Sequence, residues 1–198
     1  MSIKVPDQTV EELKTFVVEE LPDLRIVYKD EEGWYRGSFS AWVVYLFVTA
    51  VGLFARDWKS FFYERYSNGI GNLLVFPNRQ EYSDWSDPRT YKIVCHEVVH
   101  MCDWKRHPIW FPLSYVALLP SILTMRAYWE FRGYTGTMLA YYRVHGEVGD
   151  PVLDFIQDTF TGSMYFFMFP FPKTIRRMLE ETRIKVENGD IVGFNLRE

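Results

Sequence analysis

The sequence predicts a mainly helical α+β fold in one domain, and three observations lead to this prediction. The 198 residues suit one domain and can bury a substantial core. Hydrophobic residues make up 48% of the chain and charged residues 24%, which is the balance of a folded protein rather than a disordered one. Segments with helical apolar spacing outnumber the two short strand-like segments, and no internal repeat interrupts them. We therefore expect residues 1–198 to form a single domain.

The first predicted elements are a helix and a strand, which together form an N-terminal arm over residues 1–35. The helix covers "VPDQTVEELKTFVVEEL", in which Asp7 or Thr9 is suited to cap the N-terminus. The strand covers "LRIVYK". The uncharged run that follows is predicted to form a helix to about Lys59. A turn at "SNGIG" then leads into a second strand, "NLLVF".

The next helix is predicted from Pro88 to Arg106. Ser86 and Asp87 precede it as capping residues, and the proline stands at a first-turn position, where its missing N–H does no harm. His107 comes directly before another proline, which disfavours helical geometry at the histidine. The helix should therefore stop there.

Three further helices are predicted in the second half of the chain. They cover residues 121–144, 150–160 and 173–187. Alternating prolines in "YFFMFPFPK", residues 165–173, predict an extended or turn-like connection before the last helix. Residues 188–198 are expected to form a flexible tail.

Charge and cysteine content exclude several classes of protein. A net charge of −4 with scattered Lys and Arg gives no basic surface for nucleic acid. The two cysteines, Cys95 and Cys102, would lie about 10.5 Å apart along a helix, too far for a disulfide. The N-terminal sequence has no apolar core of signal-peptide type. We expect a location in the cytoplasm or within a particle.

Two uncharged runs, residues 37–55 and 108–125, approach the length that can cross a bilayer. The second contains three prolines, and we expect both to be buried helices rather than membrane spans. If residues 108–125 did cross, His100 and Glu130 would lie about 30 Å apart and could not share a metal. Contact of either run with a membrane remains an alternative.

The sequence "HEVVH" places His96 and His100 one helical turn apart. Four residues bring both imidazoles to one helix face, where they can take two corners of a tetrahedral zinc site. Glu97 lies about 100° round the helix, beside the ion rather than on it. A carboxylate in that place can accept a proton from water as a general base.

This motif resembles that of the zincin metallopeptidases. The resemblance is close at His96, Glu97 and His100 and covers the rest of the chain only in outline, as a zincin-like core with a small sheet. It implies that both histidines bind Zn²⁺, that the glutamate is the base, and that a third ligand lies downstream. The chain is also similar in general appearance to small zincin-like proteins of bacteriophages and their hosts.

The metzincin pattern is not met, because Asp103 replaces its glycine and Arg106 its third histidine. His107 lies one position after the place where that pattern has its third histidine. The gluzincin pattern takes its third ligand from a later helix, and Glu130 in "RAYWEFRGY" is the best match. His107, or His145 with Glu147, remain alternatives for this ligand.

Other side chains near Glu130 have predicted supporting roles. Arg126 and Tyr134 share its helix face, where either could stabilise an oxyanion, and Tyr134 is predicted to be catalytic. Gly133 would let another backbone approach closely. Asp103 is a candidate partner that orients an imidazole.

The predicted function is a zinc-dependent peptidase that acts on a peptide or protein substrate. One alternative is a non-catalytic assembly component, such as part of a phage particle, that retains the metal site and binds a protein partner. Another is a membrane-associated protease that uses residues 37–55. Nucleic-acid binding is not expected.

Overall fold

The computed structural model describes residues 4–37, 67–116, 125–162 and 167–196, together with positions 42, 45, 46, 49, 63 and 64. Within these residues the protein is mainly helical with one small mixed sheet, which confirms the predicted α+β class. Most of residues 37–55, and the helix predicted there, lie outside the described part of the chain. The contacts group into two compact units, Met1–Ile93 and Val94–Glu198. The single-domain assignment stays a prediction.

Within the described residues, the first unit contains a helix, a three-stranded sheet and two short helical turns. Its elements are α1 (Asp7–Glu20), β1 (Arg25–Tyr28), a 3-10 turn (Trp34–Gly37), β2 (Asn68–Ile70), β3 (Leu73–Phe76) and α2 (Arg79–Tyr82). The sheet order is β1-β3-β2, with β1 parallel and β2 antiparallel to β3. All four β3 side chains are fully buried, as their continuous apolar sequence suggests.

Two local predictions in this unit are wrong. Residues 68–70 of the predicted "SNGIG" turn form strand β2, because Gly71, with a φ of 62°, and Asn72 reverse the chain by themselves. Neither Asp7 nor Thr9 caps α1, whose N-cap is Pro6 and has no side-chain hydrogen bond. Asp7 lies inside the first turn, where its negative charge still favours the helix N-terminus.

The helix that carries the HExxH motif is α3 (Pro88–Arg106), with the bounds predicted from sequence. The Asp87 carboxylate accepts hydrogen bonds from the backbone N–H groups of Arg89 and Thr90, both at 3.0 Å, and so caps the helix. The backbone of α3 ends before His107, whose ring is exposed.

We expect Asp87→Ala to lower the free energy of unfolding by about 1 kcal/mol, because two N–H groups at the start of α3 lose their acceptor. Thermal or urea unfolding would measure it. Asp190→Ala, at a residue just after the last helix, is the control. A loss no larger than that of the control would contradict the capping role.

In the part of the second unit that the structure describes, four helices follow the end of α3. They are α4 (Trp110–Val116), α5 (Arg126–His145), α6 (Asp150–Thr161) and α7 (Pro172–Glu187). The prediction for α5 is confirmed from residue 126 onward, while residues 121–124 lie outside the described residues. Gly146, with a φ of 78°, ends α5 in the left-handed conformation. Residues 167–169 are bends, and residues 170 and 171 have no regular secondary structure, as the alternating prolines of residues 165–173 predict.

Residues 189–196, predicted as part of a flexible tail, pack against α5. Phe194 is 1% exposed, and the Arg143 guanidinium lies over its ring, 4.9 Å from the centroid. Arg143 also donates to the Val192 carbonyl at 2.6 Å. The side-chain and backbone contacts together hold this segment on α5.

Two findings bear on the environment of the chain. Within the described ranges, no helix combines the length and the apolar character needed to cross a bilayer. Cys95 and Cys102 are both buried, and neither forms a disulfide.

Candidate metal centre

Three side chains bring metal-binding atoms together between α3 and α5. One ligand atom each from His96, His100 and Glu130 lies within 4.8 Å of the other two. The Nε2 atoms of the two histidines are 3.0 Å apart. The Oε2 atom of Glu130 is 3.5 Å from Nε2 of His96 and 4.0 Å from Nε2 of His100. These three donors could hold one metal ion.

The histidines meet because they are one turn apart on α3. Their ring centroids are 4.7 Å apart and the rings are inclined by 78°, so the Nε2 atoms converge without stacking. This is the arrangement that the HExxH spacing predicts.

Two glycines let α5 approach α3 closely enough to add Glu130. A Cβ atom on Gly136 would lie 2.9 Å from the Cys95 carbonyl oxygen, which shows how near the two backbones are. A Cβ atom on Gly133 would lie 2.7 Å from Nε2 of both histidines. The absence of a side chain at position 133 therefore leaves room for the two imidazoles, whereas the close backbone approach predicted for Gly133 occurs at Gly136.

The donors are largely removed from solvent. Side-chain exposure is 14% for His96, 5% for His100 and 1% for Glu130. Burial lowers the pKa of His96, but a hydrogen bond to Glu130 and the negative charges of Glu97 and Glu130 outweigh it, so the net pKa is raised. Burial and the charge of His96 lower the pKa of His100 to about 3, against the opposing charge of Glu130. A neutral His100 is the form that binds a metal.

Glu97 lies beside this cluster and is not one of its three donors. Its side chain is half-buried, in contrast to the fully buried Glu130. Its charge raises the pKa of His96, which shows that it lies within electrostatic reach of the donors. Glu97 therefore lies close enough to His96 for their charges to interact, and the residue is partly exposed to solvent.

Tyr134 packs directly on the cluster. Its ring centroid is 4.8 Å from that of His96, with an interplanar angle of 76°. The centroid of the Phe160 ring lies 5.8 Å from that of Tyr134. The charge of Arg126 contributes to the low pKa of His100. The catalytic role of Tyr134 stays a prediction.

Thr137 is a partner of the site that the sequence interpretation missed. Its hydroxyl oxygen lies 3.3 Å from Nδ1 of His96 and donates to the Gly133 carbonyl at 3.4 Å. With its proton used there, the hydroxyl can accept from Nδ1–H, which leaves Nε2 available as a ligand. The available signal was spacing, because position 137 lies seven residues after Glu130 and so on the same helix face.

The other candidate ligands lie outside the cluster. His107, His145 and Glu147 are exposed, and within the described part of the chain only one group of three or more His, Cys, Asp or Glu side chains has this spacing. His107 packs its ring 5.7 Å from that of Trp129. The candidate role of Asp103 is corrected, since its carboxylate is held by Arg132 at 2.7 Å.

Comparison with protein-family models, with curated proteins and with solved structures finds no match to this chain.

Proposed function

We propose that this protein is a zinc-dependent peptidase of the gluzincin kind, with His96, His100 and Glu130 as the metal ligands. The observation that carries the proposal is the convergence of two imidazole nitrogens and one carboxylate oxygen within 4.8 Å of one another, beside a glycine whose Cβ would meet both imidazoles. The donors come from the motif helix and from the helix in which the zincin resemblance places the third ligand.

The donor set fits zinc. Two imidazoles and a carboxylate are common ligands of catalytic zinc sites, and three protein ligands leave a fourth position open. Softer metal ions, which prefer sulfur ligands, are not favoured at this site, because neither cysteine is among the three donors.

Each residue then has a defined task. A zinc ion bound here would supply Lewis acidity towards water and towards a peptide carbonyl. Glu97, half-buried beside the donors, accepts the proton of the attacking water and returns it to the leaving amine. Thr137 keeps Nδ1 of His96 protonated and its ring fixed. Tyr134, whose ring packs on that of His96, would support the carbonyl oxygen as negative charge develops on it.

A non-catalytic assembly role is the second candidate, and one observation favours it. Ile109, Trp110 and Leu113, at the start of α4, are 79%, 55% and 61% exposed. Three large apolar side chains on one short element are suited to contact a protein partner. An assembly component would keep the metal but show no hydrolysis.

Metal analysis tests the proposal. We expect purified wild-type protein, without an affinity tag, to contain one equivalent of zinc, and a His96→Ala/His100→Ala variant to contain essentially none. A His107→Ala/His145→Ala variant is the matched control, because it removes two exposed histidines and should keep the metal. Equal metal content in the wild type and the site variant would refute the metal centre.

A further inference from the structure

Two charged side chains that the proposed chemistry does not use connect the ligand-bearing helices. Asp103 follows His100 by about one turn of α3, and Arg132 follows Glu130 by two residues on α5. Nε of Arg132 donates to the two carboxylate oxygens at 3.1 and 2.9 Å, and Nη2 donates to Oδ1 at 2.7 Å. The side chain of Arg132 is 12% exposed and that of Asp103 is 1% exposed. The two form a buried, forked ion pair that a lysine in place of the arginine could not reproduce.

A backbone carbonyl of the segment 189–196 accepts hydrogen bonds beside this ion pair. The Leu196 oxygen accepts from Nη2 of Arg132 at 2.6 Å and from Nη1 of Arg106 at 3.1 Å. One oxygen thus bridges an arginine of α5 and an arginine of α3. We refer to Asp103, Arg132 and the Leu196 carbonyl as the clamp.

Along α3, the clamp and the glycine contact lie on either side of the two metal-binding histidines. On α3, the close backbone approach is at Cys95, the two histidines follow, and Asp103 comes last. A single point of contact would let α5 pivot relative to α3. Because the clamp contacts α3 beyond the two histidines, it limits rotation of α5 about the glycine contact, and with it displacement of the Glu130 carboxylate.

We propose that the clamp positions the metal centre, so that binding of the ion depends on the Asp103–Arg132 pair and on the docked segment 189–196. The inference rests on the proposed metal site. Its physical basis is that metal–ligand distances tolerate little variation, so a small rotation of α5 removes Glu130 from the ion. Arg132 and Asp103 are positioning residues, which act through Glu130 and His100 and do not touch the ion.

A double variant, Asp103→Leu/Arg132→Met, tests the clamp. Replacing both members of a buried ion pair by apolar side chains is often neutral or stabilising, so the variant is expected to fold. Co²⁺ titration should show binding about 10–100-fold weaker than in the wild type, as for other partners that support metal ligands. The visible absorption of bound Co²⁺ should also change, because the ligand geometry changes. A purely structural pair would leave both readouts unchanged.

Arg176→Met is the matched control. It removes an arginine that pairs with three carboxylates of α6 and α7, on Asp150, Asp154 and Glu180, none of them a clamp or donor residue. Its Co²⁺ affinity and spectrum should equal those of the wild type. Phe194→Ala, which loosens the docked segment and leaves the ion pair intact, should weaken Co²⁺ binding by a smaller factor than the double variant.

The outcomes separate the two proposals. If the wild type itself binds no Co²⁺, the metal site is refuted. If the wild type binds and the folded double variant binds equally well with the same spectrum, the clamp is refuted. Should the double variant not fold, Arg132→Lys decides, because it keeps the charge and loses the fork; wild-type affinity and spectrum would refute the clamp. Unchanged binding by Phe194→Ala would refute the part assigned to segment 189–196.

Discussion

Replacing Glu97 with glutamine is expected to abolish hydrolysis and to leave the metal content unchanged. Glutamine has nearly the same shape but cannot accept the proton of the attacking water. Loss of a general base reduces turnover by about 10²–10⁴-fold. Because Glu97 lies beside the three donors and not among them, zinc should remain at the wild-type level. Cleavage of a mixture of quenched fluorescent peptides measures turnover, and elemental analysis measures the metal.

Glu147→Gln is the control for this substitution, since Glu147 is exposed and outside the donor cluster. It should keep both activity and metal. Full activity of the Glu97→Gln variant would place the proton transfer on another residue. A wild type that holds zinc but cleaves none of the peptides would favour the assembly role.

Gly133→Ala is expected to eliminate metal binding with little effect on folding. The new methyl group would lie 2.7 Å from Nε2 of His96 and of His100, so both rings must turn away. We expect the affinity for zinc to fall by at least the 10–100-fold seen when a supporting partner is lost. The imidazoles can move at modest cost, and alanine favours a helix interior over glycine by about 0.5–1 kcal/mol. Unfolding of the metal-free variant should therefore resemble that of the wild type.

Gly149→Ala provides the comparison. A Cβ atom there meets only Pro151 Cδ at 3.5 Å, an ordinary contact, and the backbone φ of −68° suits alanine. This variant should bind zinc like the wild type. Wild-type affinity of Gly133→Ala would show that the two Nε2 atoms do not share the ion.

The parts of the fold that follow from local chemistry could be predicted from the sequence. Pro88 with Asp87 before it, and the histidine–proline step at 107, set both ends of α3. Strand β2 could not be predicted, because its three residues have little apolar pattern and depend on pairing with β3. The absence of a capping hydrogen bond on α1 likewise depends on which residue begins the helix. From sequence alone, both Asp7 and Thr9 have side chains that are suited to cap it.

In the candidate site, too, residues that share one helix face could be predicted from the sequence, whereas the alignment of two helices could not. Spacing on one helix brings His96 and His100 together, and the same reasoning identified Glu130 and Gly133 on the next long helix. Spacing along α3 predicts an imidazole as the partner of Asp103, because this spacing carries no information about the side chains of α5. The partner of Asp103, Arg132, is on α5, and the pairing depends on how the two helices are aligned in space. Thr137 was missed for the same reason.

The donors are close in space but far apart along the chain, since Glu130 follows His100 by 30 positions (130 − 100). An ion shared by both would tie the intervening chain into a closed loop. A cross-link over that length withdraws about 3–4 kcal/mol of conformational entropy from the unfolded ensemble. Fraying of α3 or α5 past the donors would then require release of the ion, which joins the two helices into a single cooperative unit of opening.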